Sequence, residues 1–197
     1  MSWIHGGCSV VMLAALGWLL GACVPAGADD DDSSGPVPAD SVEYYFGTST
    51  ISGVTANWTE TNTYLVRRSL FPAASCITEE LYDTGEGTEW LVDLVVDAAA
   101  GTFTLAFVAG EGSYTGTGTL TGAAWAWTEW ESISTAADGS TVQSNDSLTD
   151  DPAGGTRLVV SKMGRDSVGA LDWTAGEVFT EIPESEWLER FAEVPGR

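Results

Sequence analysis

Residues 89–110, EWLVDLVVDAAAGTFTLAFVAG, decide how this chain folds. Apolar residues alternate with polar or small residues on both sides of the segment AAAG, which is the pattern of two β-strands joined by a tight turn. A connection this short suits antiparallel strands and cannot hold the crossover that parallel strands need. The stretch therefore predicts an antiparallel hairpin.

Similar strand-like runs, separated by short glycine-rich turns, continue to the end of the chain. Such spacing is typical of an antiparallel up-and-down meander, so we expect an all-β domain of about 8–10 strands over residues 41–197. The meander could close as a barrel or pack as a β-sandwich of two sheets. Expected interruptions lie at Gly47, at Gly53, in residues 69–81 as an irregular or short helical segment, and at Ala175–Gly176.

The stretch GTGTLTGAAWAW predicts the register of a second hairpin. With Thr121–Gly122 as a two-residue turn, Gly118 lies opposite Trp125 and Gly116 lies opposite Trp127. The two indoles would then cover the bare backbone of the glycines.

Residues 183–194 predict a short C-terminal helix. Pro183 suits the first turn, and the acidic residues that follow it complement the positive end of the helix dipole. The apolar residues at helical spacing are Trp187, Leu188, Phe191 and Val194. We expect this face to pack on the side of the barrel or to close one end.

A single meander, inward-facing aromatic residues and a helix near the C-terminus resemble in outline the calycin barrels, the lipocalins and their relatives. The resemblance covers residues 41–197 and implies a β-barrel. It rests on architecture, because the lipocalin Gly-x-Trp signature is missing: Gly53 and Trp58 have the wrong spacing. No ligand-binding residue is carried over from that family.

The apolar run at residues 10–22, VVMLAALGWLLGA, ends at Cys23. A membrane-spanning helix needs about 20 apolar residues, so this shorter run fits the apolar region of a signal peptide. Leu20, Gly21, Ala22 and Cys23 resemble the lipobox of bacterial lipoproteins, whose cysteine receives a diacylglyceryl group. The resemblance implies a signal peptide at residues 1–22 and lipidation of Cys23. The alternatives for Cys23 are a disulfide or a chance cysteine in an ordinary apolar segment.

Residues 23–40 follow the apolar run with an acidic, Gly/Ser/Pro-rich composition. They hold too few large apolar side chains to offset the entropy of ordering, so we expect a flexible tether. The protein would then be exported to the cell envelope and anchored in a membrane through Cys23. Val24 is not the aspartate that resembles an inner-membrane retention signal, which favours the outer membrane in a Gram-negative host.

The chain has 29 acidic and 7 basic residues and a formal net charge of −22. Nucleic acids are bound by clustered cations that release counterions, so this composition excludes a nucleic-acid-binding protein. An acidic surface keeps the protein soluble and would attract a basic protein partner.

The chemistry available to the mature chain is limited, because its only histidine, His5, lies in the predicted signal peptide. A histidine-based catalytic triad and an imidazole metal site are therefore excluded, and we expect a protein without enzymatic activity. The carboxylate pairs Asp93/Asp97 and Glu129/Glu131 leave a hydrolase as a remote alternative. The only lysine, Lys162, is expected to be a solvated charge at a strand end.

The stretch DTGEGTE, residues 83–89, is a weak candidate for a calcium site. Asp83, Glu86 and Glu89 supply oxygen ligands, and the glycines would let the loop wrap around a hard cation. The competing interpretation is a polar turn that precedes Trp90. We expect no other cofactor or metal.

Seven tryptophans follow the predicted signal peptide, and they either fill the core or line a cavity. Trp125, Trp127, Tyr114 and Trp130 are the candidates for a pocket wall. The sequence thus favours a membrane-anchored lipoprotein whose barrel binds a small apolar or sugar ligand without transforming it. The alternative is a structural or protein-interaction lipoprotein with a filled barrel and an acidic contact surface.

Overall fold

The computed structural model describes residues 37–109 and 112–197. Ten strands, a short 3-10 helix at Pro72–Ala74 and the helix α1 (Glu184–Phe191) make up the fold. The strands are β1 (Ser41–Gly53), β2 (Thr59–Phe71), β3 (Cys76–Asp83), β4 (Glu89–Asp97), β5 (Thr102–Ala109), β6 (Gly112–Ala123), β7 (Ala126–Ala136), β8 (Thr141–Asp150), β9 (Thr156–Arg165) and β10 (Leu171–Glu181).

The ten strands form one closed antiparallel barrel. Each strand pairs with its neighbours in sequence, and β1 pairs with β10 to complete the ring. Strand closure satisfies the backbone groups that a sheet edge would expose. The predicted all-β up-and-down meander is confirmed as a barrel, and the sandwich alternative is set aside.

The strands alternate between side chains that face the interior and side chains that face outward. The interior holds one continuous hydrophobic core that receives residues from every strand, among them Tyr45, Val66, Leu94, Leu105 and Phe179. Trp130 and Leu158 belong to the same core. The buried aromatic and aliphatic side chains supply the main stabilisation of the barrel.

The two ends of the barrel differ in how tightly they are filled. At the end where β1 begins, inward-facing side chains such as Tyr45, Phe103 and Trp127 are buried. We call this the closed end. At the opposite end, where β1 leads into β2, inward-facing side chains are partly exposed; they include Asn62, Trp90, Phe107, Tyr114, Val142 and Trp173. We call this the open end.

Three expected interruptions of the strands are corrected by the structure. The strand β1 passes through Gly47, where an added Cβ would lie 2.0 Å from the Val178 carbonyl oxygen, so this glycine permits close strand approach. The strand β10 likewise passes through Ala175–Gly176. The segment 69–81 contains a turn of 3-10 helix but continues as β3, whose Cys76 and Ile77 are fully buried.

The register predicted for the β6–β7 hairpin is wrong. The turn lies at Ala124–Trp125, and Gly122 pairs with Trp127, so Gly118 lies opposite Ser132 rather than Trp125. Phe103 from β5 covers Gly118 instead, because its ring occupies the space that a Cβ would fill. Trp125 itself adopts a φ of +63°, a conformation that a bulky residue seldom takes.

The helix α1 packs on the outer wall of the barrel, as one of the two expected arrangements. Trp187 and Val194 form a second buried cluster with Leu65 and Tyr82, which face outward from β2 and β3. Leu188 departs from the prediction because it is 53% exposed. The packed face therefore consists of Trp187, Phe191 and Val194.

Candidate functional site

Five ionisable side chains face the interior of the barrel between its two ends. They sit among hydrophobic residues because they occupy the inward positions of their strands, as the strand pairing shows. They come from five different strands, and only the closed barrel brings them together. We call them the lumen cluster: Arg68, Glu79, Asp146, Lys162 and Glu177.

Lys162 and Glu177 form the central ion pair of the lumen cluster. Lys162 Nζ donates to both carboxylate oxygens of Glu177 at 2.9 Å, and Ser49 Oγ donates to Glu177 Oε1 at 3.3 Å. Burial disfavours the charged amine, but Glu177 and Asp146 outweigh that effect and hold the pKa of Lys162 above its usual value. The Lys162 side chain is 28% exposed, so water reaches this pair.

Arg68 carries the second cation of the lumen cluster. Its Nε lies 3.2 Å from Glu79 Oε1, and its Nη1 lies 3.4 Å from Glu43 Oε2. The guanidinium group also stacks over the Trp130 ring, 4.4 Å from the ring centroid. Burial raises the pKa of Glu79, although Arg68 and Lys162 favour its ionised form.

Asp146 is the third carboxylate of the lumen cluster. Burial raises its pKa to about 6, and the negative charges of Glu79 and Glu177 act in the same direction. A hydrogen bond from Ser144 Oγ and the charge of Lys162 oppose the shift. The carboxyl group therefore takes up a proton within the physiological pH range more readily than an exposed aspartate does.

Carboxylates outnumber cations in the lumen cluster. Glu79, Asp146 and Glu177 face two cations, and both cations already contact a carboxylate. Such an arrangement can bind a further cationic group or a proton. Across residues 37–109 and 112–197, the acidic, cysteine and histidine side chains form no group of three or more that could hold a metal ion.

The four aromatic residues predicted as a pocket wall do not lie together. Trp125 and Trp127 contact each other at the closed end, with ring centroids 5.0 Å apart. Trp130 is 5% exposed and lies beside the lumen cluster, as the cross-strand neighbour of Asp146. Tyr114 lies at the open end, where it stacks on Phe107.

Two of the three weak calcium candidates, Asp83 and Glu89, have other contacts in the structure. Asp83 is buried, and its Oδ1 accepts hydrogen bonds from the backbone N–H groups of Gly85 and Glu86 at 2.7 and 3.0 Å. Glu89 forms an ion pair with Arg197 from the C-terminal segment. These contacts fit the competing interpretation, in which residues 83–89 form a polar turn.

The carboxylate pairs of the remote hydrolase alternative lie on the outer wall. Asp93 and Asp97 face outward from β4, and Glu129 and Glu131 are exposed on β7. The acids of the lumen cluster were not singled out from the sequence.

The expectation for Lys162 is wrong, since its amine lies inside the barrel and forms an ion pair with Glu177. The sequence did indicate this position, because Lys162 follows Leu158 and Val160 at intervals of two residues and therefore faces the same side of the strand. Glu177 likewise alternates in step with Ala175 and Phe179. A charged residue at an inward position of a predicted strand was the sign of the site.

No family model, curated protein sequence or solved structure matches the chain. In the part of the chain that the structure describes, no helix has the length and apolar composition that crossing a membrane requires. The predicted signal peptide, Cys23 and the tether up to residue 36 lie outside the described residues.

Proposed function

We propose that the protein is a lipid-anchored protein of the cell envelope whose barrel binds a small ligand at the lumen cluster without transforming it. The ligand would enter through the open end. Residues 1–22 would act as the signal peptide, Cys23 would be acylated, and residues 23–40 would tether the barrel to the membrane.

The observation that carries this proposal is the lumen cluster itself. Ion pairs inside a protein are costly to desolvate, and well-packed hydrophobic residues of similar size often stabilise a core as well or better. A barrel that only had to be stable would not need Arg68, Lys162 and three carboxylates in its interior. Perturbed ionisable groups in a partly accessible interior are typical of binding sites.

The surroundings of the lumen cluster support a small-molecule site. Trp90, Phe107, Tyr114 and Trp173 face inward at the open end and are partly exposed. Small-molecule sites are mainly aromatic and apolar, with a few polar groups that fix the orientation of the ligand. An apolar ring or a sugar face would stack on these aromatic side chains.

Native mass spectrometry of the detergent-extracted protein tests the proposal. We expect the native mass to exceed the denatured mass by that of a small molecule. The double variant Lys162→Met/Glu177→Gln, which removes the central ion pair, should lose the adduct, whereas the exposed control Glu131→Gln should keep it. Equal native and denatured masses would contradict ligand binding, and an adduct that survives in the double variant would place the ligand elsewhere.

A filled barrel that binds a basic protein is the second candidate. It is supported by a concavity of about 790 Å³ on the outer wall, lined by Val95, Asp97, Thr117, Glu131 and Ile133 among others. Its lining combines apolar side chains with the acidic residues Asp97 and Glu131, a combination that suits a basic segment of a partner. Equal native and denatured masses, together with loss of partner capture on Glu131→Lys, would favour this candidate.

A further inference from the structure

Asp146 is the carboxylate of the lumen cluster that has no cation in direct contact. Lys162 directs its amine to Glu177, and Arg68 contacts Glu79 and Glu43. Among the described residues, the hydrogen bond to the Asp146 carboxylate comes from Ser144 Oγ. Asp146 is therefore left with a hydroxyl where the other carboxylates have a charged partner.

The ionic network around Asp146 is also incomplete. Arg68 is 4% exposed, and its buried Nε–H donates no hydrogen bond, although Nε lies 3.2 Å from Glu79 Oε1. The distance permits an ion pair, but the N–H is not directed at the oxygen. Buried donors without an acceptor are uncommon in folded proteins. Only an acceptor can satisfy this donor, so a ligand that reached Arg68 would carry an oxygen or another acceptor in addition to any cationic group.

Arg68 is not positioned to neutralise Asp146. Its guanidinium group is held over the Trp130 ring, and Trp130 is the residue paired with Asp146 across β7 and β8. The arginine charge is already paired with Glu43 and Glu79. Among the described residues, Lys162 acts on Asp146 through its charge without forming an ion pair, so a cation in direct contact with Asp146 would have to belong to a ligand.

A cationic ligand would approach Asp146 from the open end. Ser144, Asp146 and Lys162 are partly exposed, in contrast to the buried side chains of the closed end. Ammonium groups are attracted to aromatic faces as well as to carboxylates, and Trp90, Tyr114 and Trp173 offer such faces at the entrance. The net charge of −22 raises the local concentration of cations around the molecule.

We propose that the ligand of the barrel carries a protonated amine and that Asp146 binds this amine. The inference rests on the proposed function and adds the chemical class of the ligand. An ammonium group has three N–H donors and no acceptor, which suits an interior rich in carboxylate and hydroxyl oxygens. The charge-assisted hydrogen bond to Asp146 would be stronger than one to a neutral group.

Two probes with the same skeleton test the inference: 2-phenylethylamine and 2-phenylethanol. Both are titrated into the full mature protein at about pH 7.5, where the amine is protonated and Asp146 is mainly ionised. Binding is followed by calorimetry and by tryptophan emission. We expect the amine to bind at least about tenfold more tightly than the alcohol, which corresponds to about 1.4 kcal/mol.

The variant Asp146→Asn should abolish this preference, because it keeps the size of the side chain and removes the charge. Asp93→Asn is the matched control, since Asp93 faces outward from β4. A thermal melt of both variants confirms that they are folded.

Equal affinity for the two probes, or an amine preference that survives in Asp146→Asn, would overturn the inference and leave ligand binding by the barrel in place. If Asp93→Asn also lost the preference for the amine, the inference would be overturned, because the preference would then come from the overall negative charge of the protein. Failure of both probes to bind, with equal native and denatured masses, would overturn both the inference and the proposed function.

Discussion

Asp146 links the stability of the barrel to pH through a single carboxyl group. Burial, with help from Glu79 and Glu177, raises its pKa from 3.8 to about 6 despite Ser144 and Lys162. The folded protein therefore binds this proton more tightly than the unfolded chain does. Ionised Asp146 destabilises the fold above about pH 6, and the penalty fades as the pH falls from 6 towards 4.

We predict that Asp146→Asn stabilises the barrel by roughly 1–3 kcal/mol at about pH 8, because a raised carboxyl pKa is a free-energy penalty on the ionised form. The gain should shrink as the pH falls below 6 and approach zero by about pH 3, where the wild-type carboxyl is largely protonated in both the folded and the unfolded states. Urea unfolding at the two pH values measures it. The exposed control Glu131→Gln should show no such pH-dependent gain, and a gain of equal size at both pH values would contradict the raised pKa.

Gly164 has no side chain, and the Trp173 indole occupies the space that a side chain would fill. An added Cβ would lie 2.1 Å from the Trp173 indole, which covers this glycine from the adjacent strand. We predict that Gly164→Ala destabilises the barrel by about 1–3 kcal/mol through overpacking. Gly176→Ala is the control, because nothing lies within 4 Å of its added Cβ. Chemical denaturation would refute the overpacking argument if both variants unfolded alike.

At the scale of elements, the helix α1 is attached to the barrel by a few large side chains. Trp187 is 4% exposed and packs against Tyr44, Tyr82 and Phe191. We predict that Trp187→Ala costs about 3–5 kcal/mol, as is usual for truncation of a buried aromatic residue. Leu188→Ala, one residue further along and 53% exposed, should cost under about 1 kcal/mol. Similar unfolding midpoints for the two variants would contradict the observed helix face.

The sequence predicted strands well where alternation and turn signals agreed. The hairpin at residues 89–110 appears as β4 and β5 because its apolar residues alternate on both sides of a short turn. The strand β3 was missed because Pro72 and the polar residues TEE hid its inward positions, Ile77 and Leu81. Tertiary pairing with β2 and β4 decides that segment.

The β6–β7 turn could not be placed from local preferences. Thr121 and Gly122 are residues that favour a turn. Gly122 does have a positive φ of 125°, but it lies within β6, where the register of the pairing with β7 shifts. The turn falls instead at Trp125, a residue that disfavours positive φ. The indole contact with Trp127 explains the exception, since packing at the closed end holds Trp125 in place.

At the scale of the whole molecule, the candidate site depends on closure of the barrel. Glu79 and Lys162 lie on strands far apart in sequence, and no local pattern indicates that they share one interior. The predicted tryptophans are large and conspicuous, but most of them stabilise the core. The size and aromaticity of the tryptophans predicted that they would be buried. The residues that indicate the candidate site are the charged ones at inward positions of the strands.

The position of β1 determines which end of the barrel the proposed membrane anchor would join. Since β1 begins at the closed end, residues 23–40 would join the barrel there, and the open end would remain away from the point of attachment. A ligand could then enter from the side opposite the tether. This arrangement requires that Cys23 is acylated.

We predict that Cys23→Ser abolishes lipidation and signal cleavage, because the thiol is the acceptor of the diacylglyceryl group. The wild-type protein should sediment with membranes, and its mass should correspond to an acylated chain that begins at Cys23. The variant should lose the acyl mass. Cys8→Ser is the control: it lies in the predicted signal peptide, so the mature mass should not change. An unacylated wild-type chain in which Cys23 is joined to Cys76 by a disulfide would contradict the anchor, because one sulfur cannot serve both bonds.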